Sequence, residues 1–275
     1  MVLRDAIDTP HERFAATPRI VSLVPSITEL LFDLGLGEYV VGRTTFCIHP
    51  AQPLKAVPSV GGTKKPKLEK IAALTPTHLI VNIDENLKED VDALKAFVPH
   101  IIVTHPLEPG DNLPLYELLG HIFDRTSAAD ELGRRFSAAR AQLQSTRNPI
   151  AKRVLYLIWR DPWMTISSDT YISQMLAEIN WQTVGHRDDV RYPEFVPSAD
   201  FINAHAVDMV LFSSEPFPFK TKHIDEFLAL VEPARPAVYE IDGEMVSWYG
   251  SRAIEGLDYL ARFAANRGNC GNCGT

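Results

Sequence analysis

Apolar positions recur at helical spacing most clearly between Ser127 and Arg147, where Leu132, Phe136, Ala139 and Leu143 fall at i, i+4, i+7 and i+11. Polar residues fill the positions between them, which predicts an amphipathic helix. Ser127 suits its N-cap, with Asp130 three residues on, and Asn148-Pro149 stops it. At 1.5 Å per residue the rod is roughly 30 Å long. Before it, short apolar runs alternate with helical patterns. Strands are predicted at Arg19–Val24, Tyr39–Arg43, Leu79–Asn82 and His100–Thr104. Helices are predicted from Ile27, with Ile27, Leu30, Leu31 and Leu34 on one face, and over Leu68–Leu74 and Leu87–Phe97, with another ending at Phe123.

After the rod the order repeats. Arg153–Ile158 reads as a strand, and Ile172, Met175, Leu176 and Ile179 renew the face of the first helix. LEKIAALTPTHLIVN (Leu68–Asn82) lies without a gap over ADFINAHAVDMVLFS (Ala199–Ser213), acid on acid at Glu69 and Asp200 and Ile on Ile at Ile71 and Ile202. Ala237–Ile241 is the last strand and Ser251–Ala264 the last long helix. Alternating strands and helices imply parallel sheets with right-handed crossovers. The expected fold class is α/β, with two similar parallel-sheet lobes joined by one long backbone helix and a ligand cleft between them. A single eight-stranded α/β barrel would want even spacing, which the rod interrupts. The expected divisions are a polar lead-in over 1–18, an N-terminal lobe over 19–125, the linking helix over 126–148, a C-terminal lobe over 149–266 and a flexible tail over 267–275.

Composition narrows the function. The chain has 275 residues, 45% hydrophobic and 23% charged, as in globular domains. A net charge of −8 disfavours nucleic acid or an anionic membrane as partner. No apolar window approaches ~18 residues, so no direct membrane insertion is expected, and the first residues carry no signal-peptide pattern. Three cysteines give no disulfide framework, and Cys270 and Cys273, in a Gly/Asn-rich tail, read as part of a disordered end.

In open parallel sheets ligands bind beyond the carboxyl ends of the strands. The loops there are Pro25-Ser26, Thr44–His49, Asn82–Glu85 and His105 in the first lobe, and Trp159–Thr165, Ser213–Glu215 and Asp242–Arg252 in the second. Three of the four tryptophans, Trp159, Trp163 and Trp248, fall in them, with Phe46, Tyr249, Arg160 and Arg252. Aromatic rings with a few fixed charges suit a large amphipathic ligand. The phosphate-loop, dinucleotide, nucleophile-elbow and zinc-protease motifs are absent. Cys47 and His49 form the one close Cys/His pair; a metal site there would need further ligands such as His186, and a solvated loop is the simpler reading. Asp84-Glu85 and Asp188-Asp189 read as solvated loop before acid/base pairs. No catalytic residue, no protein metal site and no required cofactor is expected.

RIVSLVPSITELLFDLGLGEYVVGRTTFCIHP, then LEKIAALTPTHLIVN, then the long helix, resembles the class III, helical-backbone substrate-binding proteins of ABC importers, closest to the receptors for vitamin B12 and ferric siderophores. The similarity covers about residues 19–265. It implies capture of a metal chelate (cobalamin-like corrinoid, ferric siderophore or haem) by a periplasmic, monomeric, non-enzymatic protein that delivers it to an ABC permease. Phe46 stands where that family places an aromatic against the ligand, and Trp159–Trp163 and Ser247–Arg252 match its ligand loops. Ile83 replaces a family tryptophan after the third strand, and no aromatic lies between Val60 and Lys67. The resemblance also implies that Glu69 and Asp200 dock onto arginines of the permease. Two alternatives are a cytoplasmic enzyme or metallochaperone of the same fold, suggested by the missing export signal, and a receptor for a bare metal ion, suggested by Cys47 and His49.

Overall fold

The computed structural model describes residues 2–185, 187 and 189–267. His186, Asp188, Cys270 and Cys273 lie outside them. The chain divides into two compact units. The first holds the residues up to Pro106, Gly110–Ser137 and Tyr249–Arg252; the second holds Leu107–Pro109, Ala138–Trp248 and the chain from Ala253 on.

The first unit begins where the sequence predicts only a polar lead-in. Strands β1 (Leu3–Arg4) and β2 (Pro10–His11) pair as a small antiparallel hairpin. Asp5 organises it. Its buried carboxylate accepts the N–H groups of Ile7, Thr9 and Val103 and lies 3.2 Å from His11 Nε2. The main sheet follows with β3 (Ile20–Ser22), α1 (Pro25–Asp33), β4 (Val40–Arg43), α2 (Leu68–Ala73), β5 (His78–Asn82), α3 (Lys88–Leu94) and β6 (His100–Thr104). Its strands are all parallel, in the order β4-β3-β5-β6. Every residue of β5 is buried, as a central strand covered on both faces requires. The predicted face of α1 is the buried one: Ile27, Leu30, Leu31 and Leu34 all lie in the core. Helix α4 (Asn112–Ile122) is followed by Asp124, whose φ of 55° lies in the left-handed region and reverses the chain into the long helix.

That helix, α5, spans Thr126–Thr146, so Ser127 lies within its first turn rather than capping it. Leu132, Phe136 and Leu143 are buried and Ala139 is half-buried, as the stripe requires. Within the first unit Phe136 meets Tyr116 edge to face, with ring centroids 6.4 Å apart.

The second unit repeats the first. Strand β7 (Lys152–Leu157), helix α6 (Tyr171–Ala177), β8 (Trp181–Thr183), α7 (Ala199–Ala204), β9 (Met209–Ser213), α8 (Thr221–Leu230) and β10 (Ala237–Ile241) build a parallel sheet in the order β8-β7-β9-β10. This is the same permutation as in the first unit. The offset that aligns the two sequence segments carries α2 onto α7 and β5 onto β9, end for end. Short helix α9 (Gly243–Ser247) and long helix α10 (Arg252–Arg267) close the chain. In α6 the Thr170 hydroxyl caps the first turn by accepting Ser173 N–H. Glu178, just past its end, accepts both Arg140 and Gln144 from α5.

Candidate functional site

Each sheet reverses its direction of growth between its first and third strands in chain order, β3 and β5 in the first unit and β7 and β9 in the second. Loops leaving such a pair diverge and open a crevice at the strand carboxyl ends.

In the first unit, Asn86 stitches the crevice loops together. Its Nδ2 donates to Leu23 O, beyond β3, and to Thr63 O, and its Oδ1 accepts Asn82 N–H. Asn82 Oδ1 in turn accepts the N–H groups of Asp84 and Glu85. This buried amide pair fixes the turn after β5 and leaves Ile83 and Leu87 exposed. Beside it the loop after β4 exposes Phe46, 59% open, and Ile48. Asp84 and Glu85 are not merely solvated. Asp84 Oδ2 lies 3.5 Å from His105 Nε2 and its carbonyl accepts Lys64 Nζ; Glu85 accepts the Tyr249 hydroxyl at 2.7 Å.

Tyr249 and Arg252 are expected on a ligand surface, but the structure buries both. The segment they bound is clamped into the first unit. Asn112 Oδ1 accepts Gly250 N–H at 2.6 Å, the Tyr116 hydroxyl donates to Gly250 O at 2.8 Å, and Arg252 grips both oxygens of Glu29. Gly250 is required there: its φ is +82°, and a Cβ would press on Leu30. Burial first, and then the Glu85 carboxylate, raise the Tyr249 hydroxyl pKa well above its ordinary value.

Cys47 is not a solvated partner for His49 either. It is buried, its Sγ 3.1 Å from both Thr28 Oγ1 and Thr44 Oγ1. Burial pushes its thiol pKa up, against the thiolate that a metal would need.

In the second unit the loop after β7 folds back on itself, Met164 N–H donating to Trp159 O and Ile158 N–H to Met164 O. The turn throws its two tryptophans in opposite directions. Trp159 stays 39% exposed and meets Phe217, from the loop after β9, edge to face at 5.6 Å. Trp163 turns into the core between Phe219 and Phe227. Trp248 is buried too, its Nε1 donating to Glu215 Oε1 at 2.8 Å beside the Ser247 hydroxyl. Burial raises the Glu215 pKa, partly offset by those two hydrogen bonds. Arg160 forms a two-pronged pair with Glu226 on α8, both bonds 2.7 Å. A cavity of about 300 Å³ opens beside β9 and β10, lined by Phe212, Ser213, Ser214, Phe219, Glu240, Ile241 and Asp242.

The structure therefore leaves Phe46, Trp159 and Arg160 at crevice loops with solvent access, and buries Trp163, Trp248, Tyr249 and Arg252. Sequence reasoning missed Asn86, Glu29 and Glu226. An Asn four residues after a strand-ending Asn was the available signal for the first; for the two acids there was none. Among the described residues, no group of three or more His, Cys, Asp or Glu is placed to hold a metal ion. Glu69 and Asp200 are both exposed at the second positions of α2 and α7.

A periplasmic binding protein family model matches residues 20–234, from β3 through β9 and α8. The chain belongs to that family. Among family relatives, it is 27% identical over 263 residues to an uncharacterized ABC transporter substrate-binding lipoprotein of Bacillus subtilis, covering 88% of this chain and 78% of that one. It is 26% identical over 188 residues to the vitamin B12-binding protein of Photorhabdus laumondii, covering 67% of each. The fold recurs in the periplasmic vitamin B12-binding protein of Vibrio cholerae, at a TM-score of 0.73 and 17% identity over 92% of this chain and 98% of that one. It recurs again in a periplasmic haem-binding protein of Roseiflexus, at a TM-score of 0.74 and 22% identity over 90% and 97%.

Proposed function

We propose that this protein is the substrate-binding component of an ABC importer and that it captures a metal chelate reversibly, without covalent chemistry, outside the cytoplasmic membrane. The chelate is of the corrinoid, haem or ferric-siderophore class, and the protein needs no cofactor of its own. The observation that carries this reading is the set of large apolar side chains left in solvent at the crevice loops: Phe46, Ile48, Ile83 and Leu87 in the first unit and Trp159 in the second. Exposed apolar side chains gathered at strand ends are costly to solubility unless a ligand uses them. The flat, largely apolar faces of a macrocyclic chelate match them.

The test is titration of the protein with cyanocobalamin, haem and a ferric hydroxamate, followed by tryptophan fluorescence. Saturable quenching by at least one is expected. Phe46→Ala and Trp159→Ala should each weaken that ligand roughly tenfold, since loss of an aromatic contact of ~1.4 kcal/mol changes affinity by that factor. No response to any of the three would sink the reading.

Glu69 and Asp200 support a permease partner. Neither acid is the N-cap of its helix; each lies in the first turn, where a carboxylate also offsets the positive end of the helix dipole. Glu69→Ala and Asp200→Ala should change stability by no more than about 0.5 kcal/mol, as for surface positions, and leave ligand affinity alone. Capture of the permease should fall with each and further with both. A double variant that captures permease normally would remove the docking role.

A further inference from the structure

Arg160 follows Trp159 directly, on the loop that leaves β7 at the crevice of the second sheet. It is the cation of that loop best placed to meet a carboxylate on a ligand. Glu226 already holds it. Nε and Nη2 donate to the two carboxylate oxygens in parallel, the geometry in which guanidinium and carboxylate bind most strongly. Both side chains remain about one-third exposed, at 32% and 37%, so the pair faces solvent rather than the core. Other charges nearby do not replace Glu226. Asp161 acts on Arg160 only at longer range, while Lys220 and Lys222 add positive charge around His223 at the start of α8.

We infer that Glu226 is a positioning residue that withholds the Arg160 guanidinium from the ligand, and so turns the site toward chelates with an uncharged periphery and away from those that carry carboxylates. The inference rests on the binding reading above. An amide-rimmed corrinoid packs on Trp159 and Phe217 and asks nothing of Arg160. A dicarboxylate such as haem meets a guanidinium whose charge Glu226 already neutralises and whose Nε–Nη2 fork is taken.

The experiment compares dicyanocobinamide, which carries amides and no carboxylate, with haem on the full chain, by fluorescence titration. Glu226→Gln should raise the haem-to-cobinamide affinity ratio about tenfold, the scale of one charge-assisted hydrogen bond, and added salt should erode the gain. Glu226→Asp, which keeps the charge, should restore most of the original ratio. The double variant Arg160→Gln/Glu226→Gln should lose the gain. Because the pair is solvent-facing, folding should survive the substitution, which circular dichroism checks. An unchanged ratio in Glu226→Gln, or a gain that persists without Arg160, overturns the inference while the binding reading stands. Wild-type protein that binds neither probe overturns both.

Discussion

Replacement of Arg252 by alanine is expected to cost about 3–5 kcal/mol of folding stability, the range for removing one partner of a buried ion pair. Arg252 and Glu29 leave only 8% and 17% of their side chains exposed, and two short hydrogen bonds join them. Without the guanidinium the Glu29 carboxylate stays behind, desolvated and uncompensated. The cost comes from that orphaned charge, not from the pair's net worth. The double replacement Glu29→Leu/Arg252→Met should therefore recover most of the loss, because apolar side chains of similar volume pay no desolvation. Urea unfolding of the wild type, the single variant and the double variant measures this. A loss below about 1 kcal/mol in Arg252→Ala, the value of a surface pair, would show that water reaches Glu29 after all.

Acid should weaken the first unit through His78. The ring is buried at the start of β5, stacked 4.8 Å from His100 and met edge-on by Phe14 and Phe123. Burial first, then the nearby His100 and His11, bring its pKa from 6.5 down to about 3. The folded state thus keeps His78 neutral while the unfolded chain takes up a proton near pH 6.5. The sign follows directly: this stability is fully present above pH 6.5 and is lost as pH falls from there toward 3. The full drop is roughly 3–5 kcal/mol at ~1.4 kcal/mol per pH unit. His78→Phe, which keeps an aromatic ring among aromatic neighbours, should flatten the slope of unfolding free energy between pH 7 and pH 4. Asp5 does not confuse the readout in that window. Its pKa lies below 3.8, because His11 and three backbone N–H groups outweigh burial, and its contribution is lost at lower pH. Equal slopes for wild type and variant would assign the acid sensitivity elsewhere.

The sequence carried its long-range order through periodicity. Leu132, Phe136 and Leu143 announced α5, and the ungapped match of Leu68–Asn82 with Ala199–Ser213 announced two similar lobes. Elements too short for a period escaped. The hairpin of β1 and β2 has two residues on each side, held by the Asp5 side chain rather than by alternation. Helix α8 has an apolar face at Ile224 and Phe227, continued by Val231 just past its end, but the proline-rich stretch before it masked its start. At the site, loop membership was legible and side-chain direction was not. Trp159 and Trp163 share one loop, and only the return of the chain at Met164 decides that one faces solvent and the other joins Phe219 and Phe227. The carboxylate partners of Arg160 and Arg252, Glu226 and Glu29, were not legible because they lie far away in the chain.

Synthesis gives the segment Tyr249–Arg252 a further meaning. The first unit is not a continuous stretch of polypeptide: Glu29, Glu85, Asn112 and Tyr116 all wait for partners that are encoded near the other end of the chain. Translation must pass Arg252 before all of those partners exist. The half of the protein that is made first is thus completed last. Until Arg252 is made, the Glu29 carboxylate has no guanidinium to pair with, which keeps the first unit short of its final stability.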